Sequence, residues 1–165
     1  MIVYVGCDHA GLSLKLKVMA ACQAIPAGPE GRQIQWKDMG TFNGDSVDYP
    51  DYADKVAKEI VQVELQNQKS GVQDPLEGPA LGLLICGSGQ GMAIRANKYK
   101  EIRAALCWNE DIARLAREHN NANILVMSDR FTAPDLAIKM FQIFMSTKFE
   151  GGRHQRRVKK LATDT

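Results

Sequence analysis

The chain has 165 residues, 45% hydrophobic and 24% charged, with a formal net charge of +2. That is enough chain for one domain with a buried core, in a composition ordinary for globular proteins. So even a balance excludes a global attraction to nucleic acid or anionic membrane; only the stretch GGRHQRRVKK (151–160) concentrates basic side chains.

Ile2-Val3-Tyr4-Val5, β-branched and aromatic and stopped by Gly6, predicts a buried first strand. This terminus shows no basic n-region, long h-region or cleavage site, and no window approaches the roughly 18 apolar residues of a membrane span. A cytoplasmic protein with no membrane partner is expected. Residues 12–24 predict a helix with Leu12, Leu16 and Met19 on its apolar face. Pro26, Gly28, Pro29 and Gly31 predict a loop, and Gln33 to Lys37 a short second strand. Pro50 suits the first turn of a helix in which Ala53, Val56, Ala57 and Ile60 form a stripe at i, i+3, i+4 and i+7. Gln66 to Pro79, polar and broken by Gly71, Pro75 and Gly78, predicts a long surface loop. Strands follow at Leu81–Cys86, Ile102–Cys107 and Asn123–Met127, separated by helices over 89–98 and 109–118. A last helix, 133–147, is signalled by Thr132 as N-cap, Pro134, and Asp135 in the first turn. Leu136, Met140, Ile143 and Phe144 make its core stripe. Strands alternating with helices predict an α/β fold, a parallel sheet covered on both faces. Cys7, Cys22, Cys86 and Cys107 lie far apart with no C-x-x-C pair, which predicts free thiols.

In an open parallel sheet, ligands bind beyond the carboxyl ends of the strands, where the strand order switches direction. Cys7-Asp8-His9 ends the first predicted strand and Cys86-Gly87-Ser88 the third. The loop GSGQGMA sets its glycines at 87, 89 and 91, not in the G-x-G-x-x-G spacing, although Glu110 stands about where a ribose-binding acid would. It follows the third strand, and no lysine succeeds it as a phosphate-binding P-loop requires. Such glycines free several N–H groups to face one concavity at a helix start, which favours negative charge and the thiolate of a cysteine placed there. That thiolate can take a proton from a carbon next to a carbonyl while the N–H groups hold the resulting enediolate. The alternative for Cys86 is a small buried apolar residue. His119, in REHNNAN between a helix and the fifth strand, fits a proton shuttle or a helix-end histidine satisfying the last carbonyls. His9, His119 and His154 have no metal-like spacing, so no metal is expected. Arg153 and Arg157 are four apart and share a helix face, an arrangement that suits a phosphate. A solvated tail and a nucleic-acid patch are the rivals, the second disfavoured because no aromatic residue follows Phe149.

The segments GCDHAG, DYPDYA, ICGSGQGMAIRANK, RAALC, AREHNNANIL and FEGGRHQRRV occur in this order along nearly the whole chain. Together they closely resemble the type B ribose-5-phosphate isomerases, relatives of the bacterial galactose-6-phosphate isomerase subunits. The resemblance implies a Rossmann-like three-layer αβα sandwich with a five-stranded parallel sheet. A single phosphosugar isomerase domain would span 1–165, its basic segment from about 150 to 165 completing the site. It also implies a homodimer with shared sites, with tetramers left open, no nucleic-acid partner, and neither metal nor organic cofactor. The implied reaction interconverts D-ribose 5-phosphate and D-ribulose 5-phosphate through a cis-enediolate. By resemblance Cys86 is the base between C2 and C1, His119 opens the furanose ring with Asn120 beside it, and Ser88 keeps a hydroxyl where threonine is more usual. Asp8 and His9 match substrate contacts, Tyr49 lines the site, and Gly87, Gly89, Gln90 and Gly91 match the loop around the enediolate. Arg130, Arg153 and Arg157, joined by His9, match phosphate ligands. Two departures stand out: Met92-Ala93 occupies the place of a more common apolar-serine pair, and segments near 26–33 and 66–79 look longer than in the compact bacterial form. Some relatives use a carboxylate base and lack the cysteine, but here Cys86 is present. The rival functions are isomerisation of a six-carbon phosphosugar and a non-catalytic phosphosugar-binding subunit, which needs the arginines but not the base.

Overall fold

The computed structural model describes residues 1–23, 25–27 and 31–162. Ala24, at the end of the expected first helix, and Gly28 and Pro29 of the expected loop lie outside them. Along the chain come β1 (Ile2–Cys7), α1 (Leu12–Ala21), a small antiparallel hairpin of β2 (Pro26–Ala27) and β3 (Arg32–Gln33), β4 (Gln35–Asp38) and α2 (Tyr49–Ser70). They are followed by β5 (Ala80–Cys86), α3 (Gln90–Ala96), β6 (Ala104–Leu106), α4 (Glu110–Asn120), β7 (Ile124–Ser128), α5 (Pro134–Ser146) and α6 (Gly152–Leu161). One five-stranded sheet, parallel throughout, runs in the order β4-β1-β5-β7-β6. No helix among the described residues is long and apolar enough to cross a membrane.

Helices cover both faces, so the central strands are apolar on both sides rather than alternating. β5 shows this most clearly, being buried at every residue. Its Leu81, Leu83 and Ile85 pack in the cluster with α1, α4 and α5, while Leu84 and Cys86 pack in the one with α2 and α3. The sequence-predicted α/β sandwich is therefore the fold found. β1 has β4 on one side and β5 on the other. The chain leaves β4 through α2 and returns across β1, and the carboxyl ends of β1 and β5 open the crevice expected at such a switch point.

Four local expectations need correction. α1 turns Leu14, Lys15 and Val18 inward and leaves Leu16 54% exposed; Leu12 and Met19 pack only partly against the core. The cause is Lys15, which the apolar pattern assigns to solvent. It is fully buried, with Nζ donating at 2.7 Å both to Asp38 Oδ1 and to the Thr41 carbonyl. Residues 66–70 continue α2 instead of opening a loop, because Asn67 extends the buried stripe through Ile60 and Val63. The helix then ends at Gly71, whose φ of 76° is the left-handed cap that glycine favours. The rest of that segment is not loose surface either, since Leu76 is fully buried and Asp74 nearly so. Thr132 does not cap α5: Ala133 holds that position, and the buried Thr132 Oγ1 has no partner among the described residues. The strand expected at Gln33–Lys37 is β4, Gln35–Asp38, shifted along the chain.

Candidate active site

The crevice is built by three strand ends. Cys86 closes β5, and the chain turns at Gly89 with φ of 77°, a conformation side chains resist. The turn brings the Gly89 N–H back onto Cys86 Sγ at 3.2 Å, where it faces any charge on the sulfur. Ser88 Oγ accepts the Gln90 N–H at 3.4 Å at the start of α3. β7 braces the loop from below. Ser128 Oγ donates to the Gly87 carbonyl at 2.7 Å, the Arg130 N–H to the same oxygen at 3.1 Å, and the Asp129 N–H to the Cys86 carbonyl at 3.0 Å. From β1, buried Asp8 accepts the Gly11 N–H at 3.0 Å and pins the turn into α1. A Cβ placed on Gly87 would stand 3.3 Å from Arg130 Nε and 3.7 Å from Ala10 Cβ, so the loops after β1, β5 and β7 meet here. Tyr49, opening α2, lays its ring on Gly91, whose missing Cβ would fall 2.5 Å from ring carbons. Exposed His9 accepts the Val47 N–H on Nδ1 at 3.3 Å, which leaves Nε2 as the protonated donor of the neutral ring.

Burial pushes the other cysteines up, Cys7 and Cys22 to about 11 and Cys107 to about 12. They fit the small-apolar role.

A second group gathers where α4 meets α6. The ring of His119 stacks on that of His154 with centroids 4.2 Å apart and planes 2° from parallel. Glu150 Oε2 lies 3.8 Å from His119 Nε2 and 3.5 Å from His154 Nε2. The Arg153 Nε–H donates to His154 Nε2 at 3.2 Å. Burial holds His154 below the usual histidine range; the neighbouring His119 and Arg153 push the same way, and Glu150 opposes them. Asn120 ends α4, and Arg153 and Arg157 are exposed on α6. Sequence reading gives Glu150 no role and weighs His154 only as a metal ligand, which it rejects; their four-residue spacing was the available signal, and the stacking on His119 is purely tertiary.

This corner is rooted by a buried ion pair. Arg117 is fully buried, and its guanidinium binds Asp74, the Ala122 carbonyl, Asn121 Oδ1 at 3.3 Å and the Thr147 carbonyl at 3.3 Å. Asp74 in turn accepts the Leu76 and Phe149 N–H groups, each at 2.9 Å. Segment 66–79, without a role on sequence grounds, thereby ties the entry to the tail helix against the end of α4.

The two groups lie at opposite ends of the sheet. Cys86 pairs with Ser128 and Gly82 with Ile124. The chain that carries His119 and Asn120 therefore enters β7 about 13 Å of strand away from Cys86, at about 3.3 Å per residue. One chain brings together Asp8, His9, Tyr49, Cys86, Ser88, the glycine loop and Arg130. It collects His119, Asn120, Arg153 and Arg157 elsewhere.

The sequence profile of the Ribose/Galactose Isomerase family matches residues 3–161. Ribose-5-phosphate isomerase B of Escherichia coli (strain K12) is 34% identical over 156 residues, covering 94% of this chain and 91% of the relative. A crystal structure of a ribose 5-phosphate isomerase from Thermotoga maritima superposes with a TM-score of 0.80 at 43% identity, over 98% of this chain and 97% of that one. Ribose-5-phosphate isomerase B from Mycoplasma genitalium, crystallised with bound ribulose-5-phosphate, gives 0.79 at 36% identity, over 98% and 93%.

Proposed function

The chain belongs to the ribose/galactose isomerase family, and from that premise we propose that it interconverts D-ribose 5-phosphate and D-ribulose 5-phosphate through a cis-enediolate. The observation that carries the reading is Cys86 at the switch point, its sulfur met at 3.2 Å by an N–H of a glycine loop. His119 moves a proton from the C1 hydroxyl to the ring oxygen and frees the aldehyde, with Asn120 beside it. The Cys86 thiolate removes the proton at C2 and returns it to C1, while a proton passes between O1 and O2. The loop N–H groups from Gly87 to Gly91 and the Ser88 hydroxyl hold the negative oxygen of the enediolate. Asp8 contacts the sugar hydroxyls and Tyr49 walls the pocket over Gly91. Arg130, Arg153 and Arg157, with His9 donating from Nε2, hold the phosphate. The reaction as written calls on no metal or organic cofactor.

With the halves at opposite ends of the sheet, the site is completed between two copies, the crevice of one against the α4–α6 corner of the other. A two-fold axis makes two equal sites. Trp108 and Phe131, 59% and 78% exposed just beyond β6 and β7, offer apolar surface for that association. Mixing Cys86→Ala with His119→Ala protein and letting subunits exchange should restore up to about a quarter of wild-type activity, since random pairing makes half the dimers mixed, each with one intact site. No gain would sink the shared site. The substrate is tested by timing ribose 5-phosphate beside a six-carbon phosphosugar. A six-carbon sugar isomerised as fast or faster overturns the assignment.

A further inference from the structure

Glu150 and His154 take no part in the steps assigned above, yet both hold a ligand atom against His119. We infer that His119, Glu150 and His154 form a binding site for a divalent transition ion of the zinc type, and that an ion held there stops His119 from moving protons. One ligand atom from each residue lies within 4.8 Å of the other two. An ion in tetrahedral coordination, with bonds of about 2.0–2.1 Å, keeps its donors about 3.3–3.4 Å apart. Glu150 Oε2 already stands 3.5 Å from His154 Nε2 and 3.8 Å from His119 Nε2. The remaining gap closes by turning His119, which is only about two-thirds buried, while the half-exposed Glu150 carboxylate follows.

Two imidazoles, one carboxylate and an open fourth position suit zinc or cobalt rather than magnesium or calcium, which want all-oxygen sites. Histidine binds metal through an unprotonated ring nitrogen, and His154 Nε2 is one, since it accepts a hydrogen bond from Arg153. The competitor is Arg153, whose Nε–H occupies His154 Nε2 at 3.2 Å. Its side chain is exposed and can swing out, at the loss of that single hydrogen bond. A metal on His119 Nε2 takes the lone pair that would accept the sugar's proton. The binding site stands without the catalytic reading; its effect on turnover rests on that reading.

The test titrates the intact protein with Co²⁺ in buffer free of phosphate and chelator. Four-coordinate cobalt absorption should saturate at one ion per chain. Removing an outer-shell partner alone costs metal sites 10- to 100-fold in affinity, so Glu150→Gln, at an exposed position that leaves the core alone, should weaken binding at least about tenfold. His154→Ala should abolish it and Cys86→Ser should leave it unchanged. Zn²⁺ should inhibit the isomerase reaction, reversibly with EDTA, and at higher concentration in Glu150→Gln. Absence of bound cobalt, or binding lost in Cys86→Ser and kept in Glu150→Gln, overturns the site. Cobalt bound here with turnover unchanged overturns the inhibition. A protein that binds cobalt here but isomerises no phosphosugar counts against the proposed function and not against the site.

Discussion

Replacing Asp74 by asparagine tests whether the α4–α6 corner is held by charge. In the native chain Arg117 is fully buried, and Asp74 is its anionic partner. The asparagine side chain would keep an acceptor for one of the two N–H groups that Asp74 serves, at Leu76 and Phe149, but would leave the guanidinium buried without a counter-charge. Breaking a buried pair on one side costs about 3–5 kcal/mol. With a urea slope of about 2 kcal/mol per molar, the unfolding midpoint should fall by about 1.5–2.5 M. Arg117→Met should also destabilise, since it strands the carboxylate and releases the Thr147 and Ala122 carbonyls. The double variant Asp74→Asn/Arg117→Met removes both charges of the pair. Its loss should fall short of the sum of the two single losses by about 1–3 kcal/mol. The assay is urea unfolding of all four proteins at one fixed protein concentration, because association would shift every midpoint. Additivity within about 0.5 kcal/mol would refute the argument, for it would mean that the two groups do not sense each other's charge.

The remaining predictions concern the site itself. Cys86→Ala should lower turnover by about 10²–10⁴-fold, the usual worth of a positioned base, while ribose 5-phosphate still binds by calorimetry; near-normal turnover would move the base elsewhere. Arg157→Ala should weaken substrate binding by about 1.5–3 kcal/mol and make inorganic phosphate a poorer competitor; an unchanged KM and unchanged phosphate inhibition would return the tail to solvent. A His119→Ala enzyme should show a rate with ribose 5-phosphate that levels off, as enzyme is raised, at the speed of spontaneous ring opening, and no such ceiling with ribulose 5-phosphate. His154 also predicts a pH effect. Its folded value lies below the ordinary 6.5, so the unfolded chain binds more protons in the window beneath 6.5. Stability from this group is complete above that value and is lost as pH falls through the window. His154→Gln should flatten the fall in urea midpoint between pH 7.5 and 5.5; a fall of the same steepness would exclude His154 as its source.

The strands and the crevice were legible because their signals are local. β5 is an unbroken apolar run closed by a cysteine and glycines, and a strand covered on both faces needs nothing else in its own sequence. The position of the crevice then follows from alternation and strand order. What stayed hidden depends on partners distant along the chain. Lys15 is buried because Asp38 and the Thr41 carbonyl receive its charge, and without that knowledge the apolar face of α1 is read around Leu16. Arg117 stands in REHNNAN, which reads as a polar loop, yet it sits fully buried in the last turn of α4 because Asp74 comes from 43 residues away. Glu150 and His154 carried only a four-residue spacing, as common on solvated helices as in sites.

The division of the proposed site follows from the topology. In a parallel sheet each crossover helix runs antiparallel to the strands it joins, so its carboxyl end comes to the strands' amino edge. A histidine in the last turn of α4 must therefore stand at the opposite edge from a cysteine that closes β5. No side-chain reach spans that gap within one chain, since the four steps along β7 from Ile124 to Ser128 cover about 13 Å. On the proposed reading, chemistry that needs both groups draws a second copy into the site, and the crevice residues and the corner residues then have to be held rigid independently. The glycine loop does this for Cys86 through β7, by the bonds from Ser128 and Arg130 to the Gly87 carbonyl. Asp74 and Arg117 do it for His119. They fix the turn after α4 at Asn121 and Ala122, and the approach to α6 at Thr147 and Phe149. Loosening that pair should therefore disturb catalysis in the partner's crevice before it unfolds the chain that carries it.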